Sequence, residues 1–398
     1  MPARIVANLD CECDFARLAA RIRRDSGLPA PDPRDPRFGL PDALSRSLSA
    51  LGTLLRAFAR EGDRVWTRHP VDPGRMAAAP GLPTPELETG PLAALEPLGE
   101  VTAWAETGEV SAERVRSRAA EREATPPGPH TCSFCAALRL SRATTPEAAA
   151  RANHKGCAID AAAAAGFALP GARLVRALSE IDAHLESGGG RASPAGRWVL
   201  KAPHSAGGRL RVRGSGDVLG GAERRAAARL LALQGELVFE PWMDRVEDLG
   251  AFLEVTREGV AVHARHRILG TRAGVFRGIC VPGEGPQGGA EHLPDAAIEA
   301  TGRRLLEAGY EGMFGLDAWS YRTAAGEVRL HPIGEINARL TFGAVAAAIA
   351  ERLRRAGAIP EERDVVLRVG KSLPAGGSGV IPLLVPGGGD PTAAWVEM

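Results

Sequence analysis

The segments Met313–Trp319 (MFGLDAW) and Arg329–Arg339 (RLHPIGEINAR) decide the fold of this 398-residue chain. Both are apolar runs of strand length, and the residues at 323–326 between them favour a turn. They therefore predict two adjacent antiparallel strands. In such a pair Asp317 and Glu335 can face each other across the strands.

Three oxygen-bearing side chains meet in this predicted hairpin. Glu335 and Asn337 share one face because side chains alternate along a strand, and Asp317 lies opposite. Carboxylate and amide oxygens suit Mg²⁺, whereas two carboxylates buried among apolar residues without a cation would be costly. The alternative is a pair of solvent-facing acids.

A second motif lies upstream, in the sequence WVLKAPHSAGGR over Trp198–Arg209. An apolar strand that ends in Lys201 and runs into a loop with Ser205, Gly207 and Gly208 is suited to phosphate. The ammonium contacts phosphate oxygens, and the amides of the loop surround the rest. The alternative is an ordinary solvated lysine at a strand end.

A third motif, LVFEPWM over Leu237–Met243, is a strand that runs into Glu240 and Trp242. Its main chain and apolar side chains can form a wall for a purine. Glu247, one short loop later, can accept hydrogen bonds from ribose hydroxyls. The alternative is a strand end with acids at the surface.

In this order the motifs resemble the ATP-grasp superfamily, over roughly residues 150 to 345. The resemblance implies an α/β (α+β) chain with the ATP-grasp fold and an N-terminal domain like the one that precedes it in members. It assigns ATP phosphates to Lys155, Lys201, Ser205, Gly207 and Gly208, adenosine to Glu240, Trp242 and Glu247, and two Mg²⁺ ions to Asp317, Glu335 and Asn337. Gly315 departs from the pattern, because many such ligases carry arginine there.

The activity that the resemblance implies is ATP- and Mg²⁺-dependent carboxylate–amine ligation through an acyl phosphate. The substrates would be a small acid, amino acid or peptide and an amine, in a setting such as natural-product biosynthesis. Charge on the transferring phosphoryl group would be neutralised by Lys201, Arg339, Arg267 and Arg277. Two alternatives stay open: an ATP-dependent phosphotransferase, and a zinc-stapled nucleotide-binding module without catalysis.

The cysteines suggest a separate metal site. Cys132 and Cys135 form a CxxC pair, and His154 and Cys157 follow at a distance compatible with a Cys₃His zinc site. Redox-active or simply buried thiols are the alternative.

The chain alternates strand and helix patterns, and we predict three regions. Residues 1–125 form an N-terminal α/β domain, 126–235 the first part of the ATP-grasp unit, and 236–398 its C-terminal part with the Mg/ATP site. A proline-rich linker is predicted at 125–129, and the glycine- and proline-rich tail after Lys371 is predicted to be irregular.

Composition limits the partners. The 49 Lys+Arg against 48 Asp+Glu give a net charge of +1, which excludes a polybasic nucleic-acid-binding protein. No apolar run approaches the ~20 residues of a membrane helix. We therefore expect a cytoplasmic protein, without nucleic-acid or membrane partners and with a homodimer as one option.

Lysine is scarce. It occurs only at Lys155, Lys201 and Lys371, so 49 − 3 = 46 of the basic residues are arginine. A GC-rich coding sequence explains the general bias. Two of the three lysines nevertheless fall where the resemblance requires a phosphate-binding ammonium.

Overall fold

A computed structural model describes residues 2–98, 100–121, 144–193, 196–205, 207–271, 274–283, 293–375 and 379–398. The predicted linker at 125–129 lies outside these ranges, as do Cys132 and Cys135. Among the helices of the described ranges, none has the length and apolarity that crossing a bilayer requires.

The N-terminal sheet has four parallel strands in the order β3-β2-β1-β4. Its strands are β1 (Ala3–Ala7), β2 (Arg64–Thr67), β3 (Glu86–Glu88) and β4 (Glu100–Ala103). The helices of this region are α1 (Cys11–Asp25), α2 (Asp42–Gly52) and α3 (Gly108–Glu121). Every residue of β1 is buried, as expected for the centre of a parallel sheet. The predicted N-terminal α/β fold is confirmed.

The second sheet is antiparallel, in the order β5-β8-β6-β7. Its strands are β5 (Arg173–Val175), β6 (Arg197–Lys201), β7 (Arg211–Ser215) and β8 (Leu237–Pro241). The helices α4 (Pro146–Ala152) and α5 (Gly156–Ala164) precede it, and α6 (Leu178–Glu186) and α7 (Gly221–Gln234) accompany it. Thr145 caps α4 by accepting from the Ala148 amide, as its Thr-Pro start predicts.

The third sheet has eight strands in the order β13-β12-β9-β10-β11-β14-β16-β15. Its strands are β9 (Asp244–Thr256), β10 (Gly259–Gly270), β11 (Phe276–Val281), β12 (Gly312–Arg322), β13 (Val328–Asn337), β14 (Val365–Gly370), β15 (Val380–Leu384) and β16 (Ala393–Glu397). The helices α8 (Asp295–Glu307) and α9 (Phe342–Arg355) belong to the same region. The mixed α/β class is confirmed.

The expectation of an irregular C-terminal tail is wrong. The strands β15 and β16 pair antiparallel with each other, and β16 pairs with β14. The buried side chains of Leu383, Ala394 and Val396 join the main core. Glycine and proline between these strands concealed two short apolar runs that the sheet buries.

The domain ranges stay predictions. The strand β8 completes the second sheet, although it begins just after the predicted boundary at 235.

Arginines join the N-terminal region to the third sheet. Arg352 of α9 donates hydrogen bonds to the carbonyls of Ala57, Ala59 and Gly81. Arg56 donates to the carbonyls of Ala77 and Leu383, at 2.8 and 3.2 Å. One hydrophobic core also runs through both regions, so the first domain is packed firmly against the C-terminal sheet.

A buried histidine packs beneath the same helix. His266 of β10 is 3% exposed. A Cβ at Gly250 or Gly343 would lie 2.3 or 2.1 Å from its ring atoms, so both glycines are required for this packing. Burial lowers the pKa of His266 to about 4.

This histidine makes stability depend on pH. The pKa of His266 is lower in the folded than in the unfolded state. Its contribution to stability is therefore complete above about pH 6.5 and is lost as the pH falls toward 4. We expect His266 to make the free energy of unfolding about 2 kcal/mol smaller at pH 5 than at pH 7. Urea unfolding of His266→Gln at both pH values should show a smaller difference than wild type. An equal difference would contradict the assignment.

Candidate functional site

A cleft of about 1060 Å³ lies between the second and third sheets. Of the residues that the structure describes, two lysines and seven arginines line it, against four acids, so it favours a polyanion. The charged lining residues are Lys155, Lys201, Arg197, Arg209, Arg211, Arg245, Arg267, Arg277, Arg368, Asp244, Glu247, Asp248 and Glu335.

The paired acids occupy adjacent strands as predicted. Asp317 of β12 is directly opposite Glu335 of β13 in the strand register. Burial, together with the charge of Glu335, raises the pKa of Asp317 to about 7. Burial also opposes ionisation of Glu335, but Lys155 and Lys201 outweigh it and lower the pKa of this acid. Two crowded carboxylates of this kind match the donor set of a divalent cation.

Gly315 has a steric reason to be glycine. It is the strand partner of Asn337, and a Cβ there would lie 2.4 Å from the Cγ2 methyl of Thr341. Thr341 is itself fixed, because its hydroxyl caps α9 by accepting from the Ala344 amide. An arginine at 315 would not fit this packing.

Asn337 is in place, but its amide faces an unexpected way. Its Nδ2 donates to Asp317 Oδ2 at 3.2 Å, and its Oδ1 accepts from Arg339 Nη2 at 2.9 Å. A guanidinium carries only donors, so the amide atom next to it must be the oxygen. The oxygen that a cation would use is therefore held by Arg339.

Lys155 joins the two halves of the site. It immediately precedes α5, and its Nζ donates to Glu335 Oε1 at 2.8 Å and to the Ser205 carbonyl at 2.6 Å. Its main-chain amide donates to the Pro203 carbonyl. Lys155 thus connects the glycine-rich loop to the acid pair.

Lys201 ends β6 and reaches toward the neighbouring strand. Its Nζ lies 2.5 Å from Glu240 Oε2. Val199 is the strand partner of Glu240, so Lys201 and Glu240 are diagonal neighbours on one face. The Glu240 carboxylate is therefore engaged by the lysine.

The glycine-rich loop after Lys201 contains backbone conformations that favour glycine. Gly207 and Gly208 have φ of 62° and 69°, in the left-handed region that favours glycine. Leu210 has φ of 48° without being glycine. Ser205 is buried, and its hydroxyl donates to the Ala202 carbonyl.

Trp242 and Glu247 both line the cleft. The guanidinium of Arg213 lies over the Trp242 ring at 4.1 Å, and that of Arg211 lies at 5.7 Å. The Trp242 amide donates to the Arg197 carbonyl at 2.8 Å, within the second sheet. The amide is thus engaged in the protein, and the indole ring packs against guanidinium groups at the cleft wall.

The four predicted catalytic residues do not all line the cleft. Lys201, Arg267 and Arg277 line the cleft, and Arg339 does not. Arg267 is paired with Asp364 at 3.2 Å, whereas Arg277 is exposed. Arg339 is mostly buried and forms an ion pair with Glu12, in which Nη2 lies 2.7 Å from Oε1.

The structure gives no support to zinc. His154 Nε2 contacts Glu236 at 3.2 Å, and its Nδ1 accepts from the Gly156 amide. Burial raises the pKa of the Cys157 thiol to about 11, the opposite of what a thiolate ligand requires. Within the described ranges, no group of three or more His, Cys, Asp or Glu side chains is arranged to hold a metal.

Several residues at the site were missed from the sequence, among them Glu12 and Arg368. Glu12 lies more than 300 positions before Arg339, between two cysteines, and no local pattern connects it with the site. Arg368 of β14 lines the cleft and is paired with Glu397 at 2.9 Å. With 46 arginines in the chain, no local pattern distinguishes this one.

Comparisons with known proteins find likeness only in structure. The sequence matches no protein-family model, and no curated protein matches it. The N5-carboxyaminoimidazole ribonucleotide synthetase of Thermus thermophilus is 14% identical with a TM-score of 0.47, covering 100% of this chain and 94% of that one.

Two further solved structures are alike to a similar degree. An Archaeoglobus fulgidus protein described as a putative ATP-grasp superfamily protein is 13% identical with a TM-score of 0.47, covering 100% and 99% of the two chains. The biotin carboxylase domain of Hydrogenobacter thermophilus 2-oxoglutarate carboxylase is 12% identical with a TM-score of 0.48, covering 99% and 85%. At such TM-scores these likenesses add nothing to what the residues of this chain show.

The predicted residues that line one cleft between two sheets include Lys155, Lys201, Gly207, Gly208, Trp242 and Glu335. Asp317 lies opposite Glu335 on the adjacent strand.

Proposed function

We propose that the chain is an ATP-dependent ligase that joins a carboxylate to an amine. The observation that carries this proposal is the convergence of Lys155, Lys201, the glycine-rich loop and Glu335 on one cationic cleft. Such a cleft is suited to a nucleoside triphosphate, and its volume leaves room for a second small molecule.

In the proposed reaction the substrate carboxylate attacks the γ-phosphorus of ATP. A P–O bond forms, the bond to ADP breaks, and an acyl phosphate results. The amine nitrogen then attacks the acyl carbon, inorganic phosphate leaves, and the nitrogen loses a proton. ATP, acid and amine become ADP, phosphate and amide.

The residues of the chain would position and neutralise charge rather than form covalent bonds. Lys155 and Lys201 would contact the phosphate oxygens, with the loop amides of Gly207 and Gly208. Glu240 would hold Lys201 in place through the ion pair described above. Trp242 would stack on the adenine, and Glu247 would accept from the ribose.

The acid pair fits a divalent cation, and Asp317, Glu335 and Asn337 would hold Mg²⁺. When bound, the ion would neutralise negative charge on the phosphate oxygens. Arg267 and Arg277, on the cavity wall, would bind the acid or its acyl phosphate. The three regions 1–125, 126–235 and 236–398 are proposed as the N-terminal domain and the two parts of the ligase unit.

The proposal is tested by incubating the purified protein with Mg-ATP and pools of acids and amines. ADP and phosphate should be released only when both an acid and an amine are present, and mass spectrometry should find the amide. A stable phosphate ester with no amide would indicate phosphoryl transfer instead. Absence of nucleotide binding would overturn both.

A further inference from the structure

The N-terminal domain contacts Arg339 through an acid, Glu12. Glu12 lies in the first turn of α1, where an acidic side chain is favoured by the helix dipole. Its Oε1 forms an ion pair with Arg339 Nη2 at 2.7 Å, and both side chains are at most 11% exposed. This buried ion pair is the start of a chain of polar contacts that ends at the acid pair.

This series of polar contacts continues through Asn337. The same Nη2 of Arg339 donates to Asn337 Oδ1, and Asn337 Nδ2 donates to Asp317 Oδ2. In this arrangement the amide presents a donor to Asp317 and its oxygen to Arg339. A cation held with Asp317 needs the amide oxygen, because the NH₂ group of an asparagine side chain is a donor only and does not bind metal ions. Asn337 must therefore turn before it can serve as a ligand.

Turning the amide is unfavourable while Arg339 stays where it is. The Nδ2 group would then face the guanidinium, and two donors would meet in a buried place. Arg339 needs another acceptor to which it can move. Among the described residues, Glu12 Oε2 and Arg339 Nε are both buried without a hydrogen-bond partner. A small rotation of Arg339 would pair Nε and Nη2 with the two Glu12 oxygens, the bidentate geometry that arginine favours.

The surroundings hold Glu12 and Arg339 next to each other. Asn8, just before α1, exchanges two hydrogen bonds with the main chain of Ala105. The adjacent Trp104 lies 5.6 Å from the Arg339 guanidinium, and its carbonyl accepts from the Leu340 amide at 2.8 Å. The end of β13 is thus fixed to the N-terminal domain, so only the side chain has freedom to move.

We propose that Glu12 is a positioning residue that withdraws Arg339 from Asn337 and so frees the Asn337 oxygen for the divalent cation. The proposal rests on the proposed function, because it assumes the cation site at Asp317 and Glu335. It assigns to the N-terminal domain a specific task in completing that site.

The test is Mn²⁺ binding in the presence of saturating ADP, followed by electron paramagnetic resonance of the free ion. Glu12→Gln keeps the shape but loses the charge and the second acceptor, so the Mn²⁺ Kd should rise about tenfold. Arg339→Met removes the competing donor. The double variant Glu12→Gln/Arg339→Met should then bind Mn²⁺ within about twofold of Arg339→Met alone.

Arg339→Met alone tests the same idea with Glu12 intact, in case the Gln variant does not fold. Its Mn²⁺ affinity should equal or exceed that of wild type, and a loss of about tenfold would overturn the proposal. So would an unchanged Kd in Glu12→Gln, or an equal loss in both backgrounds, which would indicate a general structural effect. If wild type binds no Mn²⁺, the cation site itself fails, and the proposed function loses its metal along with this inference.

Discussion

Replacing Lys155 with arginine should lower ATP turnover by roughly 10²-fold or more. The ammonium of Lys155 is held between Glu335 and the Ser205 carbonyl, at 2.8 and 2.6 Å. A planar guanidinium is larger and directs its donors differently, so it would displace the loop or the acid. Steady-state release of ADP measures the effect.

Lys371→Arg is the matched control, because Lys371 is exposed and does not line the cleft. Its turnover should stay within about twofold of wild type, as is usual for a surface exchange. Lys201→Arg should resemble Lys155→Arg, since Lys201 is fixed by Glu240. Normal rates in both cleft variants would mean that the scarcity of lysine reflects composition alone.

Asp317→Asn should abolish ligation and yet stabilise the metal-free protein. The pKa of Asp317 is about 7, far above its ordinary value, because the carboxyl is buried next to Glu335. At pH 8 the folded protein therefore carries a charge that the unfolded chain accommodates more easily. Replacing the carboxylate should raise the free energy of unfolding by on the order of 2 kcal/mol.

The response to Mg²⁺ should distinguish loss of the cation site from a general change in stability. Thermal unfolding at pH 8 should show that Mg²⁺ stabilises wild type but not Asp317→Asn. Glu299→Gln, which removes an exposed acid from α8, is the control and should respond to Mg²⁺ like wild type. A destabilised Asp317→Asn that still responds to Mg²⁺ would contradict the assignment.

The sequence predicted the hairpin and its acids well because their signals are local. The strands β12 and β13 were expected in the segments 313–319 and 329–339, and Asp317 is indeed opposite Glu335. Apolar runs, a turn and strand alternation were enough to infer this pairing.

Contacts between distant segments could not be predicted in this way. Nothing local indicates that Glu12 pairs with Arg339, because the first domain must fold and dock before the two meet. The orientation of the Asn337 amide is equally hidden, since it depends on which donor approaches its oxygen. The strands β15 and β16 were missed because their pairing defines them more than their own residues do: β16 lies between β14 and β15 in the sheet.

The arginines that join the first domain to the C-terminal sheet have a consequence for experiments at high ionic strength. Arg56 and Arg352 donate to neutral main-chain carbonyls. Dissolved salt screens attraction between exposed charges but acts little on buried hydrogen bonds to neutral groups. Added potassium chloride should therefore weaken retention of a polyanion in the cleft well before it loosens the docking of the domain. A protein freed of bound nucleotide by a salt wash should keep its architecture intact.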